Sequence, residues 1–274
     1  MGNVTLSKDN IAQDLDQKDI LSVIPEEVLV HILSYLPGKH LIHVCRVVCK
    51  LWKAIIDSAS LWIRKCEREG VVIPPTAHSL QLDFRVLYLK NPYGRNLLRN
   101  WNAEEEFAGW TIEEGGDGFA IEDCMDCPGS EPLDPTVSGT RKCWSTSYSK
   151  SRKRQCLDLL KEGCCEAVLD QLQPPIETSV WTAARRDCGS VFVIHVRLQS
   201  ASKEVLDEWR EKRVVEQWQG GSWVQLKHTF KDYPQGVRYI TYADGGMDLL
   251  FWAGHYGPKM AAPSLRFQLS NTHT

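Results

Sequence analysis

Residues 191–198, Val191-Phe192-Val193-Ile194-His195-Val196-Arg197-Leu198, give the clearest indication of the fold of the larger part of this chain. Every second residue from Phe192 to Leu198 is large and apolar, and the residues between them include His195 and Arg197. Successive side chains of a β-strand point to opposite faces of the sheet. The stretch therefore predicts a strand with one face in a core and the other face partly in solvent.

On both sides of this strand, the sequence predicts further short strands at residues 110–113, 119–122, 223–230, 239–242 and 265–269. The glycine-rich segment 115–118 is a predicted turn between two of them, and one helical piece is predicted around Glu162 to Leu172. Many short strands joined by such turns are typical of antiparallel sandwiches. We therefore expect an antiparallel β-sandwich over residues 94–274.

The N-terminal part of the chain has a helical pattern instead. Pro25 and two glutamates after Ile24 mark a helix start, because proline fits the first turn and acids favour the positive end of the helix dipole. Pro37-Gly38 ends that helix. Apolar residues at helical spacing then predict two more helices, closing at Trp62.

These helices form a predicted three-helix module over residues 21–68. A disordered tail (1–20) precedes it, and a helical linker (69–93) follows it. A module of ~40 residues is near the lower limit for independent folding. It also carries more apolar faces than one small core uses, so either a partner or the rest of its own chain is expected to cover it.

Composition narrows the classes of function. The chain has 274 residues and a net charge of −3, which provides no basic field for nucleic acid. No stretch reaches the ~18 apolar residues of a membrane span, and the start lacks the apolar core of a signal peptide. We therefore expect a cytoplasmic protein whose ten cysteines are mostly reduced thiols.

The sequence lacks the common catalytic signatures. It has no phosphate-binding loop, dinucleotide fingerprint or paired-histidine zinc helix, and no nucleophile elbow. Cys124 and Cys127 form a lone C-x-x-C, which favours a reduced thiol pair in a loop over a zinc site. The basic run 150–154 is interpreted as a solvated face or loop. We predict a non-catalytic binding protein with no cofactor and no metal.

The segment Phe251-Trp252-Ala253-Gly254-His255-Tyr256-Gly257 is the most unusual in the chain, with three aromatic residues between glycines. Two interpretations stay open for it. The aromatic side chains either pack in the core at a strand end, or form a binding platform on a loop.

The helical module resembles an F-box. The resemblance rests on Ile24-Pro25-Glu26-Glu27-Val28-Leu29, Ile32-Leu33-Ser34-Tyr35-Leu36-Pro37, Cys45-Arg46-Val47-Val48-Cys49-Lys50-Leu51-Trp52 and Leu61-Trp62. F-boxes bind a Skp-type adaptor, which bridges to a cullin–RING ubiquitin ligase. The resemblance implies that the residues at or supporting this interface are Pro25, Leu29, Ile32, Leu33, Val44, Cys45, Val48 and Trp52.

The rest of the chain is similar to the F-box-associated domain of sugar-recognising F-box-only proteins. The similarity rests on segments 94–100, 115–118, 184–189, 236–239 and 251–258. It implies a multidomain α + β chain, with a small N-terminal three-helix F-box, a helical linker and a C-terminal antiparallel β-sandwich.

The glycan-binding members of that family imply a function and a site. The function is recognition of the chitobiose core of N-linked high-mannose glycans on misfolded glycoproteins, for ubiquitination and ER-associated degradation. The implied glycan-binding residues are Tyr148, Asp187, Phe251, Trp252 and Ala253. Three of these positions depart from the family pattern: Tyr148 replaces a phenylalanine, Phe251 a tyrosine and Ala253 a lysine, and other members of the family also carry alanine at the last position. The alternative is the same ligase role with a non-glycan protein target, bound through the same loops.

Overall fold

The structure is a computed structural model that describes residues 24–269. The chain divides into two compact units, one extending to Glu69 and the other beginning at Gly70. The predicted disordered tail (1–20) and the first residues of the predicted F-box lie outside the described residues. The segment predicted as a linker begins at this boundary, and from Gly70 onward it belongs to the second unit.

Residues 24–69 of the first unit form four α-helices and one 3-10 turn: α1 (Glu26–Leu33), α2 (Gly38–His43), the 3-10 turn Cys45–Val47, α3 (Lys50–Asp57) and α4 (Ala59–Glu69). The predicted helix start at Pro25 is confirmed, since Pro25 directly precedes α1. Pro37-Gly38, predicted to end the first helix, lies after the end of α1 at Leu33, and α2 begins at Gly38. The sequence predicted three helices. The segment after Asp57 adds a fourth, because Ser58 is extended and separates α3 from α4.

A buried lysine ties the end of α1 to α4. Lys65 Nζ donates to the Ser34 and Leu36 carbonyl oxygens at 3.0 and 2.8 Å. It also donates to Glu69 at 2.8 Å. A cation at a helix C-terminus is favourable because the free carbonyl groups there carry partial negative charge. Lys65 therefore stabilises the orientation of α1.

The second unit begins with α5 (Phe84–Lys90), whose first turn is capped by the Asp83 carboxylate. Ten strands and two short helical pieces follow. The strands are β1 (Thr111–Gly115), β2 (Phe119–Asp123), β3 (Lys142–Thr146), β4 (Ser151–Asp158), β5 (Ile176–Ala183), β6 (Ser190–Gln199), β7 (Val205–Val215), β8 (Val224–Phe230), β9 (Tyr239–Asp248) and β10 (Lys259–Phe267). The helical pieces are α6 (Pro135–Ser138) and a π-helical turn (Val168–Leu172) within the region predicted as helical.

The strands form two five-stranded antiparallel sheets, with the orders β1-β4-β9-β6-β7 and β2-β3-β10-β5-β8. The predicted antiparallel sandwich is thereby confirmed. In β6, Phe192, Ile194, Val196 and Leu198 are all buried, as the alternation predicts. β1 and β2 pair with different sheets, so the glycine-rich turn between them carries the chain across the sandwich instead of closing a hairpin.

The interpretation of the basic run 150–154 as a solvated face or loop is wrong for Lys153. This segment leads into and forms the start of β4, and Lys153 is fully buried there. Its ammonium lies 2.6 Å from Asp244 on β9. It also lies 3.8 and 4.1 Å from the ring centroids of Trp110 and Trp144. Strand alternation turns one lysine of the run into the core, and long-range partners satisfy it.

In residues 24–269 no helix is long and apolar enough to cross a membrane. Each of the ten cysteines lies within these residues, and each is a free thiol in the structure.

Candidate functional site

Apolar side chains cover part of the surface of the helical unit. We call them the docking surface: Val28, Ile32, Tyr35, Val44, Val47 and Val48, all exposed. Val28 and Ile32 are four residues apart and so lie on one side of α1, and Tyr35 follows in the turn after this helix. Such a patch on a small unit is typical of a protein interaction site.

Four of the eight residues implied for adaptor binding are exposed. Ile32 is 52% exposed and Val48 57%, and Pro25 and Val44 are also exposed. Ile32, Val44 and Val48 therefore belong to the docking surface, and Pro25 lies just before α1. Val28, Tyr35 and Val47 were not among the predicted residues. The spacing of Val28 and Tyr35 from Ile32, and the closeness of Val47 to Val44 in the sequence, could have identified them.

The other four residues implied for adaptor binding are buried or half-buried. Leu29, Leu33 and Cys45 are buried in the unit's own core, so they support the helices that carry the docking surface. Trp52 is half-buried, and its indole Nε1 is buried with no hydrogen-bond partner in the described part of the chain. A buried donor without a partner is costly.

In the second unit, loops from both sheets meet at one end of the sandwich. Asp248, at the end of β9, donates its backbone N–H to Ser147 O at 3.1 Å, and Leu249 donates to Gly189 O at 2.9 Å. We call residues 249–258, between β9 and β10, the aromatic loop. Trp252, the implied binding residue at the centre of the aromatic loop, therefore lies shortly after two backbone hydrogen bonds to the loops that carry Tyr148 and Asp187.

The aromatic loop is held in a defined conformation. The Asp248 Oδ1 atom is buried and accepts the N–H groups of Leu250 and Phe251 at 2.9 and 2.6 Å. Phe251 has a φ of +57°, a region that non-glycine residues rarely adopt. At the other end, a side chain on Gly257 would collide with Thr146 Oγ1, so only glycine allows this close approach. Both anchors present the loop's centre to solvent.

The interpretation of Phe251 and Trp252 as core residues is thereby excluded. Phe251 is 73% exposed and Trp252 is 39% exposed, and Ala253 is also exposed. Three exposed apolar residues in succession cost free energy in water unless a ligand covers them. The structure therefore favours the binding-platform interpretation of this segment.

A contact chain links Trp252 to Asp187. The Trp252 ring meets the Tyr256 ring edge-on, with centroids 5.3 Å apart. The Arg185 guanidinium lies 4.4 Å from the Tyr256 centroid. Arg185 then donates to both carboxylate oxygens of Asp187, at 2.8 and 2.7 Å. The structure therefore brings two predicted residues, Trp252 and Asp187, into one connected surface.

The Asp187 carboxylate is ionised in this setting. The hydrogen bonds from Arg185 hold the pKa of Asp187 below its usual value, although partial burial acts in the opposite direction. About a third of the side chain stays open to solvent. A fixed carboxylate with free lone pairs can accept hydrogen bonds from hydroxyl or amide groups of a ligand.

Tyr148 lies half-buried on the neighbouring loop. A hydrogen bond with Asp117 raises the pKa of its hydroxyl above the usual value. Asp117 in turn donates its backbone N–H to Ser147 Oγ at 3.1 Å.

Sequence reasoning missed three residues of this surface: Arg185, Tyr256 and Trp218. Arg185 and Tyr256 connect the predicted residues, and both stand within segments that the sequence had already singled out. Trp218 is strongly exposed with a φ of +70°, on the loop between β7 and β8. Its N–H donates to Arg186 O at 2.7 Å. Only the strand order reveals that this loop adjoins the Asp187 loop.

Comparison with known proteins matches both units. The family model described as F-box-like matches residues 13–68, and the F-box associated region matches residues 88–266. Human F-box only protein 6 is 38% identical over 249 residues, which cover 90% of this chain and 84% of that protein. Human F-box only protein 44 is 36% identical, covering 89% and 95% of the two chains. F-box only protein 2 of Bos taurus is 36% identical, covering 89% and 83%.

Proposed function

This chain belongs to the family of F-box-only proteins with an F-box-associated region, and from this premise we propose that it is the substrate-recognition subunit of a Skp–cullin–F-box ubiquitin ligase. F-box proteins of this type are substrate adaptors of such ligases. In the proposal the docking surface of the helical unit binds a Skp-type adaptor, and through it a cullin–RING ligase.

The proposed mechanism is tethering. The chain supplies no catalytic residue; it holds a target in the same assembly as the ubiquitin-charged enzyme. Tethering raises the effective concentration of the target's lysines near that enzyme, to the millimolar range for short flexible connections. The helical unit and the sandwich then have separate tasks, since one binds the ligase and the other binds the target.

For the target we propose the chitobiose core of N-linked high-mannose glycans on misfolded glycoproteins, which the cytoplasmic ligase would mark for ER-associated degradation. The observation that carries this proposal is the exposed aromatic pair Phe251 and Trp252, of which Trp252 is joined through Tyr256 and Arg185 to the ionised Asp187. An aromatic face can stack on the apolar face of a sugar ring, and a carboxylate accepts hydrogen bonds from its hydroxyl and amide groups.

Two positions of the site favour weaker glycan binding than the family pattern implies. Phe251 lacks the hydroxyl of a tyrosine, and Ala253 lacks the ammonium of a lysine. Each lost hydrogen bond to a ligand is typically worth about 0.5–1.5 kcal/mol. The same substitutions make the surface more apolar, and they support the alternative of a non-glycan protein target bound through the same loops.

Calorimetric titration of the purified chain with chitobiose and with Man3GlcNAc2 tests the glycan proposal. Trp252→Ala is the test variant. Trp209→Ala, on β7 away from the aromatic loop, is the matched control. We expect saturable heat for the original chain and the control, and none for Trp252→Ala. Because Asp187 stays ionised above its ordinary pKa, binding should be flat between pH 5 and 8.

Absence of binding by the folded chain at millimolar saccharide would refute the glycan proposal. The ligase role would stand, and the alternative protein target would take its place. Equal loss of binding in the Trp209 control would mean that the effect is structural and does not come from the aromatic loop.

A further inference from the structure

Three buried thiols and a carboxylate gather where β2 meets β3. Cys127 Sγ lies 3.4 Å from Cys143 Sγ, and Cys124 is buried in the same cluster. One ligand atom each of Glu122, Cys127 and Cys143 lies within 4.8 Å of the others. The sequence had assigned the Cys124–Cys127 pair to a reduced loop, but the structure adds a third thiol and an acid to it.

Strand pairing brings these groups together. Glu122 on β2 stands directly opposite Cys143 on β3, and side chains of directly opposed residues lie on the same face of a sheet. After β2 the chain turns sharply, because the Asp123 carboxylate accepts the Met125 N–H at 2.8 Å. The turn returns Cys127 to the side chain of Cys143.

We propose that this cluster is a structural zinc site, with Cys127, Cys143 and Glu122 as ligands and Cys124 as the fourth after rotation of its thiol. Zn²⁺ prefers four tetrahedral ligands, and thiolate sulfur and carboxylate oxygen are among its usual donors. Zn–S bonds of about 2.3 Å place neighbouring sulfur atoms roughly 3.8 Å apart. The spacing C-x-x-C suits one pair of ligands, and the Cys127–Cys143 separation needs only a small adjustment.

Lys259 supports the proposed site from β10. Its side chain is fully buried, and its ammonium pairs with the Glu122 carboxylate and lies 3.4 Å from Ser145 Oγ. Three thiolates, one carboxylate and Zn²⁺ together have a net charge of −2, and the ammonium of Lys259 offsets one of these two negative charges. A carboxylate has two oxygens, so one can bind zinc while the other keeps the ion pair. Ligating carboxylates commonly have such a hydrogen-bond partner.

The alternative state of this cluster is a disulfide between Cys127 and Cys143. That state leaves the Cys124 thiol without a role and requires an oxidant. A zinc ion uses all four groups and requires none. The buried position among Leu133 and Ala261 also suits a structural ion, because a closed tetrahedral site excludes water.

The proposed ion would stabilise a loop that borders the candidate binding surface. The Gly129 carbonyl oxygen, two residues after Cys127, accepts the Arg186 N–H at 2.7 Å. A Cβ atom on Gly129 would lie 3.1 Å from Asp187 Oδ1. Zinc would thus hold the loop beside Asp187, although the zinc proposal does not depend on which target the surface binds.

The test is the metal content of the full chain, produced with zinc in the medium, purified under reducing conditions and desalted. We expect about one zinc ion per chain by elemental mass spectrometry. Cobalt exchanged into the site should give a sulfur-to-cobalt charge-transfer absorption. It should also quench Trp181 and Trp223, which pack against the cluster.

Two double variants assign the ligands. Cys127→Ser with Cys143→Ser should lose zinc and the cobalt absorption. The matched control, Cys156→Ser with Cys165→Ser, alters two thiols outside the cluster and should keep both. Because buried substitutions can unfold the chain, Glu122→Gln provides a milder variant. It keeps all the thiols and should bind zinc more weakly in competition with a chromophoric chelator.

A folded original chain that carries well under one zinc ion and gives no thiolate-to-cobalt absorption would overturn the proposal. A Cys127–Cys143 disulfide found by mass spectrometry in the freshly purified chain would also overturn it. Retention of zinc by the Cys127/Cys143 double variant would overturn the ligand assignment and with it the site.

Discussion

Replacing Asp244 with alanine leaves the ammonium of Lys153 in the core without its counter-charge. Neither side chain has any exposed surface, and Nζ and Oδ1 are 2.6 Å apart. Burial lowers the pKa of Lys153, while the charge of Asp244 raises it. Tyr242 also donates its hydroxyl to Asp244 Oδ2 at 3.2 Å, so the substitution removes the acceptor of two buried donors.

Removing one partner of a buried ion pair typically costs about 3–5 kcal/mol of unfolding free energy. For a domain of this size each kcal/mol lowers the melting temperature by about 2–4 °C, so Asp244→Ala should lower it by roughly 6–20 °C. Replacing both partners, as Lys153→Met with Asp244→Leu, should recover most of this loss. An apolar pair avoids the desolvation cost of the two charges.

Urea and thermal unfolding followed by tryptophan fluorescence measure the effect, since Trp110 and Trp144 contact the Lys153 ammonium. Lys150→Met is the matched control, because Lys150 lies three residues earlier and makes an exposed ion pair with Glu114. It should cost no more than about 1 kcal/mol. The reasoning is refuted if Asp244→Ala costs no more than Lys150→Met, or if the double variant is as unstable as Asp244→Ala.

Two further results are expected. The double variant Ile32→Asp with Val48→Asp should no longer co-purify with a Skp-type adaptor. The control Val205→Asp changes an exposed valine of the second unit and should leave co-purification unchanged. Co-purification retained by the double variant would contradict the docking surface. Glu162→Gln should cost about 1–3 kcal/mol at pH 7. Burial raises the pKa of the Glu162 carboxyl, but its hydrogen bonds with Arg95 and Arg99 lower it below its usual value. The stabilisation by ionised Glu162 is therefore present above the ordinary pKa of a glutamate. It is lost as the pH falls through the lower pKa of the folded state, so unfolding curves of the two proteins should converge in acid.

Much of the fold could be predicted from local pattern. The alternation from Phe192 to Leu198 predicted a half-buried strand because the side-chain period of a strand is two. Pro25 predicted a helix start and Pro37 a helix end, because proline lacks the N–H that an interior helical position requires. These signals depend on neighbours in the sequence. The boundary at Ser58 carried no such signal, and the number of helices was therefore predicted one too low.

The sequence pattern alone could not predict which apolar residues form the docking surface. Helical spacing identified Ile32 and Leu33 equally as apolar residues of one helix, yet one is exposed and the other is buried. Which side of α1 faces the core depends on how α4 packs on it. A Leu33→Asp substitution would therefore test the stability of the unit, whereas Ile32→Asp tests the surface.

By itself, the sequence determined where strands and helices form, which segments carry unusual aromatic residues and which family's motifs the chain contains. Only the tertiary structure decided which charged residue of the basic run enters the core. Lys153 finds Asp244 91 residues away in the sequence. The order of strands likewise joins Cys143 to the pair at Cys124 and Cys127, and Arg185 to the aromatic loop. The difference arises from the separation of interacting residues along the sequence. Periodicity indicates only the local direction of side chains, whereas burial and charge pairing depend on strands that are distant in the chain.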